Sequence, residues 1–179
     1  MKRDEAIHQL RAGRKELQDT LVGLSEEDFL RAKAIDNWTL KDLIAHIASW
    51  DEEMVRILQA FSLPGEPVFT YTISDRNGFA AWNEEQIIAR RERTVNEILS
   101  ELETARRDLI QVIEGLTDPV LNRSHITTWG KPATGFELII TQVEHDREHS
   151  AQIRSYRKKI ERWARARQKL SEKRKTKKQ

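Results

Sequence analysis

The chain has 179 residues, 38% hydrophobic and 34% charged, with only 7 Gly and 4 Pro, the balance of a helix-rich single domain with charged outer faces. It has no cysteine, which excludes disulfides, thiolate nucleophiles and cysteine-based zinc or iron–sulfur sites. The net charge of +2 is unevenly spread: Arg157 to Gln179 carry 12 Lys/Arg against 2 Glu (+10), and residues 1–156 carry 19 Lys/Arg against 27 Asp/Glu (−8).

A first helix is expected from Arg3 to Val22, with Ile7, Leu10, Leu17 and Leu21 as its apolar stripe, Arg14 interrupting it and Gly23 ending it. Ser25 begins a short turn. A second helix follows Trp38-Thr39, where Thr39 and Asp42 have capping-box spacing, and its stripe of Leu43, Ile47, Trp50, Met54, Ile57, Leu58 and Phe61 also carries His46. Residues Ser62 to Ala81 contain Pro64, Gly65, Pro67 and Gly78 and keep no period, as a full-height crossover would. A third helix is expected from about Glu84 to Gly115 through Ile87, Val95, Ile98, Leu102, Ala105, Leu109, Val112 and Leu116, interrupted by Arg91. Residues 117–133 read as a loop that includes His125 and Trp129. Thr134 and Glu137 then make a capping box for the fourth helix. With no alternating strand pattern, the fold class is all-α: a four-helix bundle with a long crossover between helices 2 and 3. The bundle occupies residues 1–160, and 161–179 form a basic, helical or disordered tail.

The fourth helix carries the chemistry. Leu138, Gln142, His145, His149, Gln152, Ile153, Tyr156 and Ile160 recur at steps of three and four and form one seam, with Glu144, Arg147, Arg154 and Lys158 opposite. His145 and His149 therefore occupy positions where a bundle core takes Leu or Ile. With His46 they give three inward imidazoles on two helices, a set suited to one divalent metal with a position left for water or substrate. Gln142 and Gln152 flank the pair as hydrogen-bond partners, substrate contacts or polar packing at the bundle mouth, and Arg14 and Arg91, each interrupting a stripe, either bind a substrate carboxylate or snorkel to the bundle end or pair with a nearby acid. Glu144 points away from the seam and Asp146 and Glu148 lie on its two flanks, so all three make poor general bases. Trp38 and Trp50 read as core support.

The run Asn37-Trp38-Thr39-Leu40-Lys41-Asp42-Leu43-Ile44-Ala45-His46-Ile47-Ala48-Ser49-Trp50, a long crossover, and His145-xxx-His149-xx-Gln152-Ile153 together resemble the DinB-like superfamily. Trp82-Asn83 and Trp129 narrow the likeness to its ClbS/DfsB branch. The resemblance covers residues 1 to about 160. It implies a four-helix bundle whose His46, His145 and His149 bind a divalent metal, usually zinc or nickel. Bacillithiol- and mycothiol-dependent transferases and isomerases of the superfamily use the metal to activate a cofactor thiol. The branch also contains a cyclopropane hydrolase whose activity does not rest on this triad.

Three functions follow as expectations. The first is thiol-dependent S-transfer or related detoxification of a small electrophile, with a metal and a low-molecular-weight thiol as cofactors. The second is hydrolysis of a reactive small molecule without catalytic metal. The third is a non-catalytic metal- or ligand-binding bundle. A homodimer through an exposed helix face is compatible with the pattern. No run is long and apolar enough to span a membrane, and Met1-Lys2-Arg3-Asp4-Glu5 lacks the apolar core of a signal peptide, so the cytoplasm is the expected location. The basic tail reads as a solvated extension rather than a nucleic-acid surface.

Overall fold

A computed structural model describes residues 2–73 and 76–176. Its elements run α1 (Arg3–Leu21), α2 (Glu26–Leu30), α3 (Leu40–Phe61), α4 (Arg76–Ala89), α5 (Val95–Gly115), α6 (Asp118–Asn122), β1 (Ser124–Ile126), β2 (Pro132–Thr134) and α7 (Gly135–Thr176). The long helices α1, α3, α5 and α7 form the bundle. Helix α3 packs chiefly on α5 and α1 on α7, and the α3–α7 and α1–α5 seams close the ring.

Capping boxes set the starts of the functional helices. The Thr39 hydroxyl accepts from the Asp42 amide at 3.0 Å and Asp42 accepts from the Thr39 amide at 2.9 Å. Thr134 and Glu137 repeat the exchange ahead of α7, at 3.2 and 2.7 Å. A further box, Thr94 with Glu97, corrects the sequence reading: the third helix is two helices, with α4 ending at Ala89 and α5 opening at Val95. The break is pinned by Arg90, which reaches Glu101 at 2.6 Å and Glu52 at 2.8 Å. Lys41 also donates to the carbonyls of Arg91 and Arg93 at 2.8 and 2.9 Å.

Two other expectations change. Helix α4 begins at Arg76, inside the stretch read as an irregular crossover from Ser62 to Ala81. The loop after α5 holds a two-stranded antiparallel hairpin, pairing Ser124 with Thr134 and His125 with Ala133, so the chain is not wholly free of strand. Three residues per strand are too few to show a period of two. His125, expected in an open loop, lies on β1 and is buried against Phe61, ring centroids 4.8 Å apart.

The core is divided by a layer of charge. Leu10, Met54, Leu109 and Val143 belong to one apolar cluster, and Leu17, Ala48, Leu102 and Ile153 to the other. Between them lie Arg14 on α1, Asp51 on α3, Arg106 on α5 and Asp146 on α7, none more than 4% exposed. Arg14 grips Asp146 through Nε and Nη2 at 3.2 and 3.1 Å and reaches Asp51 at 2.7 Å. Arg106 grips Asp51 at 2.9 Å through both nitrogens and approaches Asp146 at 3.1 Å. Their Nη1 groups donate to the Leu102 and Leu10 carbonyls at 2.8 and 3.2 Å, tying α1 and α5 together. Burial disfavours the Arg14 charge, but Asp51 and Asp146 outweigh it and raise its pKa.

Removing one carboxylate would leave two buried guanidinium groups short of counter-charge. Asp51→Ala is therefore expected to cost about 3–5 kcal/mol of unfolding free energy, read from the urea midpoint at unchanged slope. A loss below about 1 kcal/mol would mean that the arginines find water instead.

Candidate metal centre

Helices α3 and α7 bring the three seam histidines to one point. His46 Nε2 lies 3.0 Å from His145 Nε2, which lies 2.9 Å from His149 Nε2. The ligating nitrogens all fall within 4.8 Å of one another, the only such group of three among the described residues. His46 and His149 are 5% and 7% exposed, and His145 is half-buried. A tetrahedral zinc-type ion bonded to three imidazoles at ~2.0–2.1 Å sets its nitrogens ~3.3 Å apart. The two spacings from His145 Nε2 lie within a few tenths of an ångström of that.

Proton counting supports the fit. His149 Nδ1 faces the Gln152 Oε1 acceptor at 2.9 Å, which fixes the proton on Nδ1 and leaves Nε2 with its lone pair. One shared proton cannot serve three converging nitrogens, whereas a cation is served by all three lone pairs. Electrostatics agree. Burial pushes His46 down to about 3, with His149 acting the same way and the Asn83 hydrogen bond opposing. Burial also holds His145 well below the ordinary value, aided by its two histidine neighbours and then by Arg106 and Arg14. Burial lowers His149 as well, against the pull of Gln152. All three imidazoles are thus neutral near pH 7, the form that ligates metal.

The surroundings sort the other candidates. Gln152 touches the triad directly. Gln142 is buried with its Oε1 unpartnered, three residues before His145, whose Nδ1 is also unpartnered. Arg91 does not join them: its side chain is 61% exposed and lies 3.8 Å from Glu84. Glu144 and Glu148 are exposed, and Asp146, read as flanking, is buried in the charge layer. Trp38 packs on the apolar cluster and on the His46 ring at 5.0 Å. Trp50, one turn beyond His46, donates to Asn83 Oδ1 at 3.0 Å and meets Trp82 at 4.5 Å, so α4 closes one side of the site. Sequence reasoning missed Asn83 as a neighbour of the triad. Its nearest signal was the Trp82-Asn83 pair.

Residues 9–153 match the DinB superfamily. The chain belongs to the DinB superfamily. No curated protein matches the sequence. Three solved structures show how the DinB bundle recurs at low identity. The colibactin self-resistance protein ClbS, solved in complex with double-stranded DNA, aligns at TM-score 0.74 and 12% identity, over 88% of this chain and 96% of ClbS. A mycothiol-dependent maleylpyruvate isomerase aligns at 0.71 and 14% identity, over 86% of this chain and 61% of the isomerase, so this chain spans less than two thirds of that enzyme. YfiT from Bacillus subtilis, described as a probable metal-dependent hydrolase with an unusual four-helix bundle topology, aligns at 0.65 and 17% identity, over 88% and 87%. At these identities the likeness shows the DinB fold.

In the metal-free DinB bundle, His46 stays neutral in the folded state down to about pH 3, whereas in the unfolded chain it protonates near 6.5. Unfolding therefore takes up a proton between these values, and stability is greatest above 6.5 and falls as pH drops towards 3. Tm measured against pH in chelator is expected to show this fall, and His46→Asn to flatten it. An unchanged slope in the variant would remove His46 as a source.

Proposed function

We propose that the protein is a metal-dependent enzyme that transfers a low-molecular-weight thiol to, or uses it to open, a small electrophile. One divalent ion, zinc or nickel, would be held by His46, His145 and His149. The observation that carries this reading is the convergence of three neutral Nε2 atoms on one point. Membership of the DinB superfamily supports it, as do a mycothiol-dependent isomerase and a protein described as a probable metal-dependent hydrolase among structures of the same fold.

A bound divalent ion would supply Lewis acidity that favours the deprotonated form of a thiol or water near neutral pH. The chain's own residues do the rest. Gln152 holds the His149 tautomer, and Gln142 offers a carbonyl to the unpartnered side of the site. Trp38 packs on the His46 ring, and Trp50 with Asn83 covers the α4 side of the seam. No cysteine competes for the ion, so sulfur there would come from an exogenous thiol.

A second reading has its own observation. The two cavities of about 590 and 620 Å³, one beside Arg11 and Arg107 and one between Tyr71 and Trp82, are not lined by the imidazoles, and two of the three imidazoles are nearly buried. A bundle that holds a metal without exchanging ligands has this geometry.

Elemental mass spectrometry of tag-free protein is expected to find about one zinc or nickel per chain, lost in His46→Ala and His149→Ala while helicity is retained. Gln152→Leu is expected to weaken metal affinity by about 10–100-fold. Thiol added to cobalt-substituted protein should change its visible spectrum if the fourth position exchanges. An unchanged spectrum would select the closed, non-catalytic site, and metal-free wild-type protein after reconstitution would overturn both readings.

A further inference from the structure

Helix α7 runs 42 residues without a break, about 63 Å, and its second half, residues 156–176, carries 10 of the chain's 31 Lys/Arg. The structure adds a direction to that charge. At 3.6 residues per turn, Lys158, Arg162, Arg165 and Lys169 fall within an arc of about 60°. Tyr156 and Trp163 occupy the opposite side. Tyr156 is 1% exposed and donates to the Asp28 carbonyl at 2.7 Å. The Trp163 ring lies 6.4 Å from Tyr156, with the Arg31 guanidinium 5.1 Å above it. The bundle thus takes one face of the helix and leaves the basic stripe on the other.

Every residue from 161 to 169 is exposed. Arg165 meets Glu161 at 3.7 Å, with both side chains more than 60% exposed, a surface pair that is easily exchanged for another anion. Lys158, Arg162 and Lys169 have no acidic partner among the described residues.

We propose that this stripe binds the phosphate backbone of double-stranded DNA without sequence preference. Four cations over about 17 Å of helix axis face a polymer carrying one negative charge per about 1.7 Å. A helix about 10–12 Å wide fits a major groove about 12 Å wide. The other polyanions fit less well. A membrane surface calls for an apolar face opposite the basic one, and here that side holds the buried Tyr156, then Trp163 against Tyr156 and Arg31, and then the cation Arg167. Single strands call for exposed aromatic platforms, and the stripe carries none. The body, at −8, repels DNA and confines contact to the projecting helix. The site is independent of the metal and of the activity proposed above.

The test is fluorescence anisotropy of the full chain with short labelled duplexes of two unrelated sequences, from about 50 to 200 mM salt. Both duplexes should bind alike. Four phosphate contacts should give a log–log salt slope of about −3.6, steeper if residues beyond Lys169 join. The K158E/R162E/R165E/K169E variant should weaken binding at least about tenfold, the corresponding glutamine set should fall between, and both should lower the salt slope. R123E/K131E, exposed at the far end of α7, should bind like wild type, with equal helicity and metal content throughout. Absence of binding at low salt overturns the proposal, as does equal binding by the charge-reversed chain. So does capture by anionic vesicles without capture of duplex, or salt-reversible self-association that accounts for the signal.

Discussion

The four-charge layer of Arg14, Asp51, Arg106 and Asp146 is the constraint on which the rest of the bundle depends. Each long helix contributes one member, and the layer is neutral as a whole. Each guanidinium spends most of its donors on the two carboxylates and on a carbonyl of a neighbouring helix. An apolar bundle tolerates a helix sliding by a turn, because one Leu replaces another. This one does not. A slip of any helix would leave a charge buried and unpaired, at a cost of about 3–5 kcal/mol, comparable with much of a small domain's stability. Register follows from that penalty.

The triad inherits this register. Asp51 lies five residues after His46 on α3, and Asp146 directly follows His145 on α7, so the pairings that fix the two aspartates also fix the histidines' heights. The layer acts on the triad's charge as well, since Arg106 and Arg14 join burial in keeping His145 neutral. Helix α4 closes the other side by packing rather than charge, through Trp82 on Trp50 and Asn83 between Trp50 and His46.

The sequence shows some of this and hides the rest for identifiable reasons. His46, His145 and His149 were legible because an imidazole at a core position breaks an otherwise apolar stripe, and steps of three and four place it on the inner face. Arg14 was legible in the same way, as a charge that interrupts an apolar stripe. Asp51, Arg106 and Asp146 were not. Asp51 opens the run Asp51-Glu52-Glu53, Arg106 sits beside Arg107, and Asp146 lies among alternating charges, so each resembles a solvated face until a partner from another helix is known. Arg91 failed through phase. The stripe from Ile87 to Val95 spans eight residues, near two helical turns, and reads through the break that Thr94 and Glu97 impose. Once the helix restarts there, Arg90 turns inward to Glu101 and Arg91 turns out.

These features converge on the charge available at the candidate metal centre. Three imidazoles bring no negative charge, and the nearest carboxylates of the layer, Asp51 and Asp146, are already held by arginines. A divalent cation placed among the three Nε2 atoms would therefore keep its full charge for whatever occupies the remaining position, and an anion there would be favoured over its conjugate acid. A carboxylate in place of any one histidine would blunt that preference, and a cysteine would supply the sulfur internally. The residue types at the seam thus suit an incoming thiolate or hydroxide better than they suit a closed four-ligand site, in which the protein itself supplies the fourth donor. The burial of His46 and His149 bears on how the anion arrives. Of the three imidazoles His145 is the most exposed, so the anion would enter beside it.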